Sequence, residues 1–312
     1  MTEHKVLPSE LIDMIFDELQ DNALRGVTWT DPAAKQTLRN CLPVSTDFRH
    51  RILSRFCSDV SLLLEPADTG HVARLSKVIS QPPNSRLGGI GRYIKHFTLH
   101  CRNIVDYGFN PEGHRDITRI FDSQDLVVIL QGLHGDYFGV EEFSLVSSSS
   151  QIQNSMAWVD VPVGFRSAFQ SLLQSPHLTR LDIKNISFKS ESIFSGSSLF
   201  SGSHLKNLTI KASPYILTAG PRQERYQGPL TASTLPFPAL LKLNTDHSHE
   251  CDSNFLPASM LEKLEVFKEI PNSRLCSQKT WRVLGLSASS LTEIYISHTG
   301  KRQQYALFVD SH

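Results

Sequence analysis

The chain has 312 residues, 40% hydrophobic and 20% charged, enough to bury a sizeable core and unlike a disordered or fibrous composition. Lys plus Arg and Asp plus Glu both number 31, so there is no general attraction to phosphate backbones or anionic lipid, and nucleic acid is not expected as a partner. Cys41, Cys57, Cys101, Cys251 and Cys276 are scattered and lack CxxC spacing, which argues against a disulfide framework or structural zinc site and for reduced, buried thiols.

Apolar runs such as Leu126 to Leu130 fall far short of the roughly 20 residues that a membrane span needs. The start Met1-Thr2-Glu3-His4-Lys5 lacks a signal-peptide core. No membrane association is expected, and the predicted location is cytoplasmic or nuclear.

In chain order, Leu7-Pro8-Ser9-Glu10 opens a helix: Pro8 pre-sets φ at the first helical position, and Glu10 lies near the positive end of the helix dipole. Leu11, Ile12, Ile15, Phe16 and Leu19 recur at helical spacing to about Gln20, with Asp13, Asp17 and Glu18 on the other face. After a polar, turn-rich stretch from Asn22 to Gln36, Leu38, Cys41, Leu42 and Val44 predict a second short helix. Ser45 can cap a third, with Phe48, Ile52 and Phe56 on one face. Three short helices in roughly 50 residues are near the lower limit for an independent core, so either a partner or the rest of the chain must cover the leftover apolar face.

The segments LPSELIDMIFDELQD and TLRNCLPVSTDFRHRILSRF resemble an F-box, in the form common in proteins of mushroom-forming fungi. The resemblance covers most of the first 56 residues. It is carried by Leu7, Pro8, Glu10, Leu11, Ile12, Ile15 and Leu19, then Leu38, Cys41, Val44, Phe48, Arg49 and Phe56. The long connection from Asn22 to Gln36, and Pro43, depart from the family pattern. The resemblance implies docking on the Skp-type adaptor of an SCF-type cullin-RING ubiquitin ligase. The residues expected to make that contact are Leu7, Pro8, Leu11, Ile12, Ile15, Leu38, Val44 and Phe48.

Further along, an LxxLxL pattern returns, starting at Ile94, Val140, Leu178, Leu205, Leu240, Leu261 and Leu291. Its last three positions alternate apolar, polar, apolar, as in a strand with one buried face. The intervals run from 21 residues (240 to 261) to 46 (94 to 140), and several hold a helical pattern: Asp125 to Gly132, Phe165 to Gln174, Ser192 to Phe200 and Lys279 to Leu286. Helix-then-strand units of this kind match the leucine-rich-repeat design with inserted loops, and resemble the repeat region that follows the F-box in the same fungal family. The expected architecture is therefore α/β: a three-helix F-box-like module over residues 1–60, then an irregular leucine-rich-repeat solenoid over 61–312.

The outward strand positions are the default binding surface of such a domain. His96, Glu142, Arg180, Asp182, Asn207, Lys263, Glu293 and Tyr295 are the candidates for holding a target protein. Their mixed charge suits a protein or peptide.

His247, His249 and Cys251 alternate on one segment with Asp246 and Asp252 nearby, and are the candidates for a metal-dependent hydrolase. No second cluster matches them, and no dinucleotide fingerprint, phosphate loop or nucleophile elbow accompanies them. No catalytic residue, metal or cofactor is therefore assigned. The expected function is a substrate-recognition subunit of the ubiquitin ligase, with an interaction scaffold unrelated to ubiquitin as the alternative.

Overall fold

A computed structural model describes residues 11–15, 17, 32–42, 45–64, 70–81, 89–101, 121–147, 161–184, 203–211, 240–246, 263–270, 284–285, 287, 289–297 and 304–308. Its elements are α1 (residues 11–15 and 17), α2 (Pro32–Cys41), α3 (Thr46–Phe56), β1 (Asp59–Leu64), α4 (Gly70–Ile79), a 3-10 turn (Ile90–Tyr93) and β2 (His96–Cys101). They continue with α5 (Gln124–Gly132), β3 (Glu142–Ser147), α6 (Val163–Leu173), β4 (Arg180–Lys184), β5 (Asn207–Lys211) and β6 (Lys242–Asp246). β7 (Val266–Ile270), β8 (Glu293–Ser297) and β9 (Gln304–Phe308) complete the set.

The nine strands form one sheet in strict chain order. β1 to β8 pair in parallel and β9 returns antiparallel to β8. The expected division into a three-helix F-box-like module and an irregular leucine-rich-repeat solenoid is thereby corrected to a single α/β arrangement on one continuous sheet. The finding that overturns it is the ladder itself. β1 pairs with β2 from Asp59↔His96 to Leu64↔Cys101, and the expected boundary at residue 60 falls inside β1. Only Cys57 and Ser58 separate α3 from that strand, so the N-terminal helices run straight into the sheet.

The same device recurs where each of β2 to β8 begins: two successive amides donate to one carbonyl of the preceding unit. Lys95 and His96 donate to Ser58, Glu141 and Glu142 to Lys95, Thr179 and Arg180 to Glu141, and Lys206 and Asn207 to Thr179. Leu241 and Lys242 donate to Lys206, Glu265 and Val266 to Leu241, and Thr292 and Glu293 to Glu265. The residue just before each donor pair, namely Ile94, Val140, Leu178, Leu205, Leu240, Leu264 and Leu291, is buried.

This register corrects one expectation. The copy read as Leu261-x-x-Leu264-x-Val266 is shifted by three residues: Leu264 holds the leading position and Phe267 aligns with Leu243 and Ile294. Overlapping patterns in LEKLEVF made both readings possible, and burial of Phe267 selects between them.

The core lies between one sheet face and the helices. Phe97, Phe143, Leu181, Leu208, Leu243 and Phe267 form a buried row across the strands. α5 buries Leu126, Val127, Ile129 and Leu130 against it, and α6 buries Phe165, Ala168, Phe169, Leu172 and Leu173, an i, i+3, i+4, i+7, i+8 stripe. Aromatic contacts knit the two layers: Phe97 stacks on Phe143 at 5.9 Å within the sheet and Phe165 on Phe169 at 5.8 Å within α6, while Phe143 and Phe169 meet across the layers in a tilted contact at 5.6 Å between ring centroids.

Candidate functional site

Two surfaces deserve a functional reading, the first helix and the sheet face that points away from the core. α1 packs on α3 through a small cluster in which Ile12, Cys41, Leu42, Phe48 and Phe56 surround Ile52. The α3 end is defined by Ser45, whose hydroxyl accepts the Phe48 amide at 3.1 Å. Charge fixes the pairing of the two helices. Arg51 Nη1 lies 2.7 Å from Asp13, Arg55 Nη2 lies 2.9 Å from Asp13, and Arg55 Nε lies 2.9 Å from Asp17. Hydrogen bonds from Arg51 and Arg55 hold the Asp13 carboxyl below its ordinary value.

What remains on α1 is apolar and open. Leu11 is 45% exposed, Met14 65% and Ile15 51%. Positions 11, 14 and 15 share one helix face. Leu11 and Ile15 were expected in the docking set, whereas Met14 was missed, although its i+3 spacing from Leu11 was readable. Ile12 and Phe48, also expected to dock, are turned into the cluster around Ile52. Leu38 stands on α2, and Leu7, Pro8 and Val44 lie outside the described residues.

α3 also packs on the 3-10 turn that precedes β2. His50 Nδ1 lies 3.2 Å from the hydroxyl of buried Tyr93 in the 3-10 turn before β2, and Arg92 donates to that hydroxyl at 2.6 Å. Leu62 and Leu64 belong to the main core and Leu63 is exposed, so the α1 strip is not spent on β1.

On the open face the register forms rows. One runs Asp59, His96, Glu142, Arg180, Asn207, Lys242, Val266, Glu293, and the next Ser61, Thr98, Ser144, Asp182, Thr209, Asn244, Lys268, Tyr295. The structure thus brings seven of the eight expected target-binding residues onto one surface: His96, Glu142, Arg180, Asp182, Asn207, Glu293 and Tyr295. Lys263 is the exception. It sits exposed in the turn before β7, because that strand begins three residues later than expected.

Several of these side chains are engaged within the face. His96 pairs with Asp59, and Tyr295 donates to Glu293 at 3.0 Å. Asp182 needs correcting as a contact residue, since its side chain is only 5% accessible. Its carboxylate lies 3.2 Å from both Arg180 Nη2 and Lys184 Nζ. Burial alone would raise its pKa, but hydrogen bonds from Arg180 and Thr209 and the charges of Arg180 and Lys184 bring it below the ordinary value. Lys184 was missed as a member of this group. The alternation Arg180-Leu-Asp182-Ile-Lys184, which puts cation, carboxylate and cation on one strand face, is the signal that could have found it.

His247, His249 and Cys251, the candidates weighed for a metal-dependent hydrolase, lie outside the described residues. Among the described residues no three His, Cys, Asp or Glu side chains are grouped to hold a metal ion, and no helix is long and apolar enough to cross a membrane. The described strand order never reverses, so it forms no switch-point crevice of the kind that holds dinucleotides in doubly wound sheets.

No family model matches the chain, and no curated protein matches it.

Proposed function

We propose that the chain is a non-catalytic substrate-recognition adaptor of an SCF-type cullin-RING ubiquitin ligase. In this reading the F-box-like segment docks on the Skp-type adaptor through α1, and the open sheet face receives a target protein. The mechanism is positioning: holding a target lysine near the charged ubiquitin carrier raises its effective concentration, and no reacting group is needed here.

The observation that carries the reading is the strip of Leu11, Met14 and Ile15. Isolated exposed apolar residues are ordinary, but three on one face of a helix pinned by Asp13 and Asp17 present a pre-formed apolar anchor. The sequence resemblance supplies the identity of the partner.

The test is capture by purified Skp-type adaptor of the full chain and of a Leu11→Asp, Ile15→Asp variant, both checked for folding by circular dichroism. Wild-type capture lost in the variant is the expected result. A folded wild-type chain that is not captured overturns the reading. The packing of α3 on Tyr93 would then favour a scaffold in which the N-terminal helices shield the sheet's first edge.

A further inference from the structure

The chain has no net charge, yet its open sheet face is not neutral throughout. The register puts Arg180, Lys184 and Lys242 at outward-alternating positions of β4 and β6, against Asp182. The flanking strands contribute Asp59 and Glu142 on one side and Glu293 on the other. Charge is therefore segregated along the sheet, with a cationic middle between acidic margins.

The arrangement of β4 sharpens this. Asp182 is buried beneath Arg180 and Lys184 and is not available to an incoming cation, while the two basic side chains that hold it stay about two-fifths accessible, at 43% and 38%. They are already ordered by that carboxylate, so a ligand orders them at a smaller entropic cost. Arg180 also approaches Glu142 at 3.6 Å, which bounds the patch on the β3 side. Lys242 stands two strands away in the row of Arg180 and is exposed.

We propose that the open face of β4 to β6 binds an acidic, carboxylate-rich peptide segment of the target protein, with Arg180, Lys184 and Lys242 as its charge partners. This rests on the reading that the open face receives the target. Strands about 4.8 Å apart put Arg180 and Lys242 roughly 10 Å from each other. At about 3.3 Å per residue, that matches carboxylates three residues apart in an extended peptide laid across the strands.

The experiment is fluorescence anisotropy of the full chain with a labelled peptide carrying glutamate at every third residue in a Gly-Ser background. Its counterpart with lysine at those positions, and labelled oligouridylate, serve as comparators. The expected result is binding of the glutamate peptide alone, weakening as salt is added. Lys242→Glu should weaken it by about fivefold, with Lys242→Gln intermediate, while Lys77→Glu on the helix-covered side changes nothing. Unchanged affinity in Lys242→Glu, equal binding of the lysine peptide, or tighter binding of oligouridylate overturns the proposal, the last because it would assign the patch to nucleic acid. Adaptor capture of the wild-type chain, measured beside peptide binding, separates the two readings. Peptide binding without adaptor capture by wild type defeats the ligase reading alone, and adaptor capture without peptide binding defeats this inference alone.

Discussion

The guanidinium of Arg51 lies 2.7 Å from the carboxylate of Asp13, tying α1 to α3 across 38 residues of sequence. Arg55 binds the second oxygen of the same carboxylate at 2.9 Å, so one acidic side chain orients two arginines. Asp13→Ala removes the acceptor of both. The expected outcome is faster cleavage of the N-terminal region by trypsin at neutral pH with the sheet core still protected, read by limited proteolysis and mass spectrometry. Cleavage no faster than in wild type would show that the Ile12 to Ile52 packing alone holds α1.

Asp182→Asn tests the buried carboxylate of β4. Breaking a buried pair costs about 3–5 kcal/mol, but partly exposed partners are screened, so about 1–2 kcal/mol is expected here. The pH dependence has a definite sign. The folded-state pKa of Asp182 is depressed, so its contribution is full above the ordinary carboxylate range and disappears as the pH falls through the folded value. Urea midpoints should differ between wild type and variant at pH near 7 and converge in acid; a difference that grows in acid would refute the account.

Close approach rather than turn geometry requires glycine at two places. A Cβ at Gly91 would collide with the Gly132 carbonyl oxygen, and one at Gly132 with the Ile79 side chain. Gly91→Ala meets backbone and should cost about 1–3 kcal/mol. Gly285→Ala, whose Cβ would meet nothing within 4 Å, should be neutral or stabilise by up to about 1 kcal/mol in its helical setting. Thermal melts of the two variants against wild type decide it.

Burial pushes the Cys101 thiol up to about 12 and the Cys57 thiol up to about 11. At mildly alkaline pH neither should alkylate in the native protein, whereas both should in denaturant, as followed by peptide-resolved mass spectrometry. Rapid native labelling of Cys101 would mean that the β2 end of the core opens readily.

The strands were the most legible part of the sequence, because a leading aliphatic residue followed by apolar, polar, apolar alternation marks each entry to the sheet. β1 escaped because the position that is Ile94 or Val140 elsewhere is Cys57, so Val60 and Leu62 did not register as a copy. β9 carries no such leader and pairs antiparallel. Periodicity reports which face of a strand is buried but not which strands are neighbours, and that is why the separation of helices from sheet was misjudged. On the open face, alternation brought seven of the named residues to neighbouring register positions. It did not reveal that Asp182 would sink beneath Arg180 and Lys184, since that depends on the reach of side chains two residues either side.

The paired amides at the entries of β2 to β8 also give the sheet a direction of wear. Each unit donates backward, to a carbonyl of the unit before it. Loss of β8 and β9 would leave the Glu265 carbonyl short of donors, whereas loss of β1 would strand the amides of Lys95 and His96. An orphaned N–H is harder to accommodate than an under-satisfied C=O, which has two lone pairs and tolerates partial hydration. Tyr93, gripped by α3, adds a further anchor at the N-terminal edge. Fraying should therefore start at β8 and β9 and advance toward β4, so that native-state hydrogen exchange climbs in protection from the C-terminal strands inward.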